Sequence, residues 1–228
     1  MSWLLALVAC TGAYDGPAAA GEGAAVFGRV VSLLGDGLGD VTICAFELEV
    51  PCVTSAPDGD FLLEPLPEDA DVIVTMEKAD HLRTAYLHHT SRTQEWQKTL
   101  MPAALVDSMA NRVDTEFDPA SGHVMFILWA GPDYTTFERV AGVTFAIDAG
   151  GAEPFYQGAG GLPDPELDAT STTGSGGAFN LDPGTYTVTF SAEAVTCAPW
   201  FSPDFAPGAP FPVPAVAGWA SYMDLVCT

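Results

Sequence analysis

The sequence predicts an all-β protein: two tandem β-sandwich domains joined by a short helical spacer. One turn–strand–turn–strand unit occurs twice. It runs from Asp58-Gly59-Asp60 through Phe61-Leu62-Leu63 and the Pro65–Asp71 turn to Val72-Ile73-Val74-Thr75-Met76. It returns as Gly176-Gly177-Ala178-Phe179, then Asp182-Pro183-Gly184, then Thr185-Tyr186-Thr187-Val188-Thr189-Phe190. Gly permits positive φ, Pro fixes φ, and the following Thr, Val, Tyr and Phe alternate as a half-buried strand does. Most of the remaining chain is short apolar segments between Gly, Pro and Asp turns, with one helical repeat. At 228 residues it exceeds the usual single domain.

Residues 1–10 form a short apolar run ending in Leu7-Val8-Ala9-Cys10. The run is too short to span a bilayer as a helix and reads as a signal segment. Its end resembles the bacterial lipoprotein box, which implies a lipidated Cys10 after cleavage. Residues 11–24, rich in Gly and Ala without periodicity, read as a flexible tether. The first sandwich is assigned to 25–101. Phe27–Val31 opens it, Val41–Leu48 alternates, the Asp58 unit follows, and His81–His89 and Trp96–Leu100 close it. Residues 102–120 form the spacer, where Pro102 suits a first helical turn and Leu105, Val106, Met109 and Val113 recur at 3.6 spacing. The second sandwich takes 121–228. Gly122–Trp129 matches the first opening strand, and Val140–Ile147 matches residues 38–45. Two stretches read as irregular surface loops, 152–175 for its Gly, Pro and Asp content and 198–214 for its six prolines. Val216–Cys227 closes the sandwich.

Seven Lys and Arg against 30 Asp and Glu give a formal net charge of -23. Such a polyanion lacks the clustered cations that nucleic acid or an anionic membrane surface requires. Beyond Arg112, Arg139 alone stands against fourteen acids from Asp114 to Asp224. A central basic segment (Lys78 to Arg112) reads either as pairing with that acidic half across the domain junction or as a chance clustering.

Five cysteines divide as one, two and two. Cys10 is the lipidation candidate, and Cys44–Cys52 and Cys197–Cys227 are the expected disulfides. Such pairs fit an oxidising compartment outside the inner membrane. Loop entropy makes them worth roughly 2.5 and 3.5–4 kcal/mol. No Cys-x-x-Cys spacing suggests zinc.

Gly28-x-Val30, Gly39-Asp40-Val41-Thr42-Ile43, Asp58-Gly59-Asp60-Phe61-Leu62-Leu63-x-x-Leu66-Pro67 and Val72-Ile73-Val74 together resemble the carboxypeptidase regulatory-like domain. Residues 121–228 carry the resemblance more loosely. It implies a seven-stranded transthyretin-like (prealbumin-like, Ig-like) sandwich serving as a non-catalytic accessory module, with no catalytic residue to transfer.

The chain has no His-Glu-x-x-His, no Gly-x-Ser-x-Gly and no Walker loop. An iron site of two Tyr and two His, as in a dioxygenase built on a similar sandwich, is not expected from His81, His88, His89 and His123. His88 and His89 are strand neighbours on opposite faces, and His123 lies in the other module; the histidines read as surface or strand-edge residues. Asp36, Asp40, Asp58 and Asp60 lie in two loops that could share one end of the first sandwich. They read either as calcium ligands or as ordinary turn residues. Trp200, Phe201 and Phe205 read either as an aromatic platform for carbohydrate or a protein partner, or as rings folded back on the sandwich.

The expected function is a non-enzymatic, lipid-anchored cell-envelope lipoprotein, periplasmic or surface-exposed on the outer membrane. It would be a binding or assembly module for carbohydrate or an envelope protein. The alternatives are a purely structural spacer or subunit and, remotely, an enzyme with an unrecognised site. No cofactor is expected, calcium apart.

Overall fold

Strand β1 (Ala24–Val31) shows why the first half closes as a sandwich. Val26, Val30 and Val31 are buried, and the strand lies between β4 (Asp60–Leu66, antiparallel) and β7 (Trp96–Thr99, parallel). This computed structural model describes residues 23–91, 96–131, 138–150, 152–200 and 204–228. Opposite the β4-β1-β7 sheet stand β2 (Thr42–Ala45), β3 (Val53–Thr54), β5 (Asp71–Glu77) and β6 (Thr84–His89), in the order β6-β5-β2-β3. Val30, Ile43, Leu63, Val74 and Met76 fill the space between the sheets and are fully buried.

The second half repeats this wiring. Strand β8 (Gly122–Ala130) takes the place of β1, between antiparallel β11 (Ser175–Leu181) and parallel β15 (Ala220–Cys227). Its facing sheet has the order β14-β12-β9, formed by Phe211–Ala215, Gly184–Ser191 and Thr144–Ile147. Phe126, Phe145, Phe190 and Phe211 meet at its centre, with ring centroids 4.9–6.1 Å apart. Short β10 (Phe155–Tyr156) flanks β11, and β13 (Cys197–Pro199) flanks β15.

The twice-occurring sequence unit is not a hairpin in either half. Its first strand pairs in one sheet and its second in the other: β4 with β1 but β5 with β2 and β6, β11 with β8 but β12 with β9 and β14. The turn between them is the corner of the sandwich, so both strands bury one face against the same core.

The two halves join edge to edge. Ala220, Ser221 and Tyr222 of β15 run parallel to Thr84, Ala85 and Tyr86 of β6, giving one nine-stranded sheet. Beyond that contact the same edge of β15 holds β13, with Cys197 directly opposite Cys227. Helix α1 (Ala103–Arg112) covers the seam, seating Val106 and Met109 with Leu82, Met125, Phe179 and Ala220. Ala110 takes the buried place expected of Leu105, which lies only half-covered. Strand β8 is therefore covered on both faces. This explains its unbroken apolar run, where a strand wetted on one side alternates.

Both stretches read as loops contain strands. Phe155 and Tyr156, within 152–175, are buried as β10. The prolines of 198–214 do not prevent β14, because Pro212 and Pro214 stand on its outer edge. They pair with Thr187 and Thr185, and Thr187 turns its N–H and carbonyl the other way, to Asp148. Pro on an outward position removes no ladder bond.

Candidate functional site

Both expected disulfides are formed. Cys44 of β2 bonds Cys52 just before β3, with Cα atoms 4.4 Å apart, and Cys197 of β13 bonds Cys227 of β15, with Cα atoms 4.0 Å apart. Cys10 and Phe201 lie outside the described residues.

The two Asp loops of the first half do adjoin. A Cβ on Gly37 would stand 1.8 Å from the Asp58 carbonyl oxygen, so only glycine allows the approach. Two of the four carboxylates are engaged nearby. Asp60 accepts from Arg29 Nε at 2.6 Å, and Asp58 Oδ1 accepts from the Asp60 N–H at 3.3 Å. Asp40 holds a left-handed φ of 59°. Among the described residues no group of three or more His, Cys, Asp or Glu side chains is gathered as a metal site.

In the aromatic segment, Phe205 is half-buried against the second core, 5.7 Å from the Phe211 ring. The Trp200 N–H donates to the Asp224 carbonyl at 2.9 Å.

Three of the four histidines differ from the expectation of surface or strand-edge residues: His88, His89 and His123 are buried. His123 is held between aromatic rings, stacked on Phe117 at 4.4 Å and edge-on to Phe179 at 6.0 Å. Its Nδ1 accepts the Asn180 N–H at 3.1 Å, which places the proton on Nε2, a position with no hydrogen-bond partner. Burial lowers its pKa to about 4, against the opposing pull of the Asp118 backbone and carboxylate. Asn180, at φ 57°, clasps the incoming chain with its side chain. Its Oδ1 accepts from the Asp118 N–H and its Nδ2 donates to the Glu116 carbonyl.

Asn180 also lines a groove of about 620 Å³. Its lining comes from residues 113–115 after α1, from Ala149, Gly150 and 152–155, from Asp164, Pro165 and Leu167, and from 179–182. Phe155 and Phe179, stacked at 4.4 Å and almost wholly buried, and Tyr186 also line it. Asp114, Glu153, Asp164 and Asp182 are among its lining residues. Sequence reading missed it because its walls come from four segments up to 70 residues apart.

At the junction, Lys98 of β7 reaches Asp224 of β15, with Nζ 2.5 Å from Oδ2, across 126 positions. Trp129 Nε1 donates to the other Asp224 oxygen at 3.0 Å, and Lys98 also lies 4.8 Å from the Tyr86 ring centre. Burial raises the pKa of Tyr86 well above its ordinary value, with Tyr222 and Asp224 adding to the effect. Its hydroxyl thus remains a donor to the Thr99 carbonyl. One part-buried pair thereby joins the basic segment to the acidic half.

No family model matches the chain, and no curated protein matches it. Solved structures with a likeness include the TIE protein of Bacillus anthracis, at 12% identity and TM-score 0.29, covering 89% of this chain and 34% of that one. The shaft pilin SpaA from Lactobacillus rhamnosus GG matches at 9% identity and TM-score 0.27, over 90% of this chain and 97% of that one. A Streptococcal ancillary pilin matches at 14% identity and TM-score 0.27, over 88% and 62%. This chain thus spans about a third of the TIE protein's length and under two thirds of the ancillary pilin's. At such identities and scores the likeness assigns neither family nor activity.

Proposed function

We propose that this protein is a non-enzymatic cell-envelope subunit, a structural part of a surface assembly that engages a protein partner and is held to the membrane through a lipid on Cys10. The observation that carries the reading is the union of two disulfide-bearing sandwiches into one body. The last strand belongs to the core sheet of the second half and extends the sheet of the first, and the Cys197–Cys227 bond fastens its end. Disulfides set in paired strands suit an oxidising space, and a fused pair of sandwiches suits a part that spaces or bears load. A protein partner is favoured over carbohydrate because Phe205 turns toward Phe211 and the core.

Intact mass of the protein from its native membrane fraction, before and after reduction, tests this reading. The expected result is a diacyl adduct on Cys10, a gain of four protons on reduction, and migration in a complex larger than the monomer. A monomer in the soluble cytoplasmic fraction with five free thiols overturns it.

A further inference from the structure

The linker that follows α1 is fastened to the second sandwich around His123. Phe117 stacks on the imidazole, and the Asn180 side chain bonds the Glu116 carbonyl and the Asp118 N–H on either side of Phe117. The same Asn180 gives its backbone N–H to His123 Nδ1, so one residue holds both the ring and the linker. Asn180 stands, left-handed, where β11 shifts register against β8 between Ala178 and Leu181. Phe117 and Phe179 pack with the seam cluster that includes α1, outside both sandwich cores. This fastening can therefore open locally, below the cost of unfolding either core.

The arrangement accepts only a neutral imidazole. Nδ1 takes a hydrogen bond from a backbone donor, and Nε2–H is buried with no acceptor. A second proton has to sit on Nδ1, facing the Asn180 N–H, and the bond between them must then break. The linker contributes one nearby charge, Asp118, which is exposed and already accepts from the Ala120 N–H and the Ser121 hydroxyl. Strand β11 contributes the neutral Asn180 and Phe179, and the residues that α1 buries are Val106, Met109 and Ala110. Beside β15 the Trp219 carbonyl accepts the His123 N–H, and the Trp219 ring carries Arg83, itself paired with Glu77. No described carboxylate bonds Nε2 to receive an imidazolium.

We propose that His123 and Asn180 form an acid-released latch: protonation of His123 breaks its bond to Asn180 and lets residues 113–121 leave β8 and β11 while both sandwiches stay folded. Opening uncovers Phe117 and Phe179 and gives the imidazolium water to bond. Closed, burial holds His123 to about 4; wetted, it returns to about 6.5. Protons therefore favour the open form, and the opening equilibrium rises roughly fiftyfold from pH 7 to pH 4.5.

The test is amide hydrogen exchange of the full chain, resolved by residue at pH 7 and pH 4.5 and corrected for the intrinsic pH dependence of exchange. The Asp118 and Asn180 amides should lose protection roughly fiftyfold in acid, while Val74 and Val188, one in each core, keep theirs. Unchanged protection at Asp118 and Asn180 overturns the latch. Equal loss in both cores also overturns it, because that marks general swelling of a chain with 30 acids. His123→Asn keeps an oxygen acceptor near the place of Nδ1 but cannot titrate, so the acid response should vanish whatever its protection at pH 7; a response that persists overturns the assignment. Asn180→Gly keeps the left-handed backbone and its N–H but drops the clasp. Asp118 should then be less protected already at pH 7, and equal protection means that the clasp does not hold the linker and the latch is wrong.

Discussion

His123 is a buried base in an acidic protein, and its environment gives a pH dependence of known sign. Unfolded, its imidazole takes up a proton below about pH 6.5; folded, it refuses one until about pH 4. Its contribution is thus fully present above pH 6.5 and is lost as pH falls to 4, by about 3 kcal/mol across that window. Urea unfolding of the wild type and a His123→Gln variant from pH 7 to pH 4 reads the difference. The gap between them should narrow as pH falls, and a constant gap would refute the assignment. Nothing near His123 in sequence announces this state. Its neighbours Phe117 and Phe179 lie 6 and 56 positions away, and the clasp by Asn180 depends on a left-handed residue at a β-bulge. The disulfides, by contrast, were legible, because each pair falls within one module and Cys44 and Cys227 lie on strand segments that the alternation already located.

Among the elements, β15 makes the most consequential contacts, and Asp224 is its polar centre. Removing only the cation, as in Lys98→Met, leaves a carboxylate buried with the Trp129 indole N–H as its remaining side-chain donor and should cost about 3–5 kcal/mol. Adding Asp224→Asn should recover most of that loss, since the amide oxygen still accepts from Trp129 while the charge is gone. Chemical denaturation of the two variants decides it, and a double variant as unstable as the single would argue that packing, not charge, is at stake. Strands β1, β2, β4, β5 and β8 were readable from apolar pattern and turn residues. Strands β10, β13 and β14 were not, because the first two are only two and three residues long, the third carries two prolines, and their pairing is set by distant strands. The corner between β4 and β5 cannot be told from a hairpin in the sequence, because a tight turn between two alternating segments looks the same in either case. Only the partner strands distinguish them.

For the whole molecule, the duplicated wiring makes the seam intelligible. Strand β6 of the first half and β14 of the second occupy equivalent places, each antiparallel to the strand after the sandwich corner. The first accepts a neighbour along its free edge; the second presents Pro212 and Pro214 there. Replacing both, as in Pro212→Thr/Pro214→Thr, should leave the fold intact but restore two outward N–H donors. Light scattering of concentrated protein should then rise above that of the wild type. Unchanged scattering would locate the safeguard elsewhere. The nine-stranded sheet itself ends in strands of two residues, β3 and β10, too short to template another chain. Seen as a copying rule, β6 is where one module hands its hydrogen-bonding edge to the next, and β14 is the same position with the message to continue erased. Module addition by this route stops at two, and a third sandwich fused after this one would have to attach by some other surface.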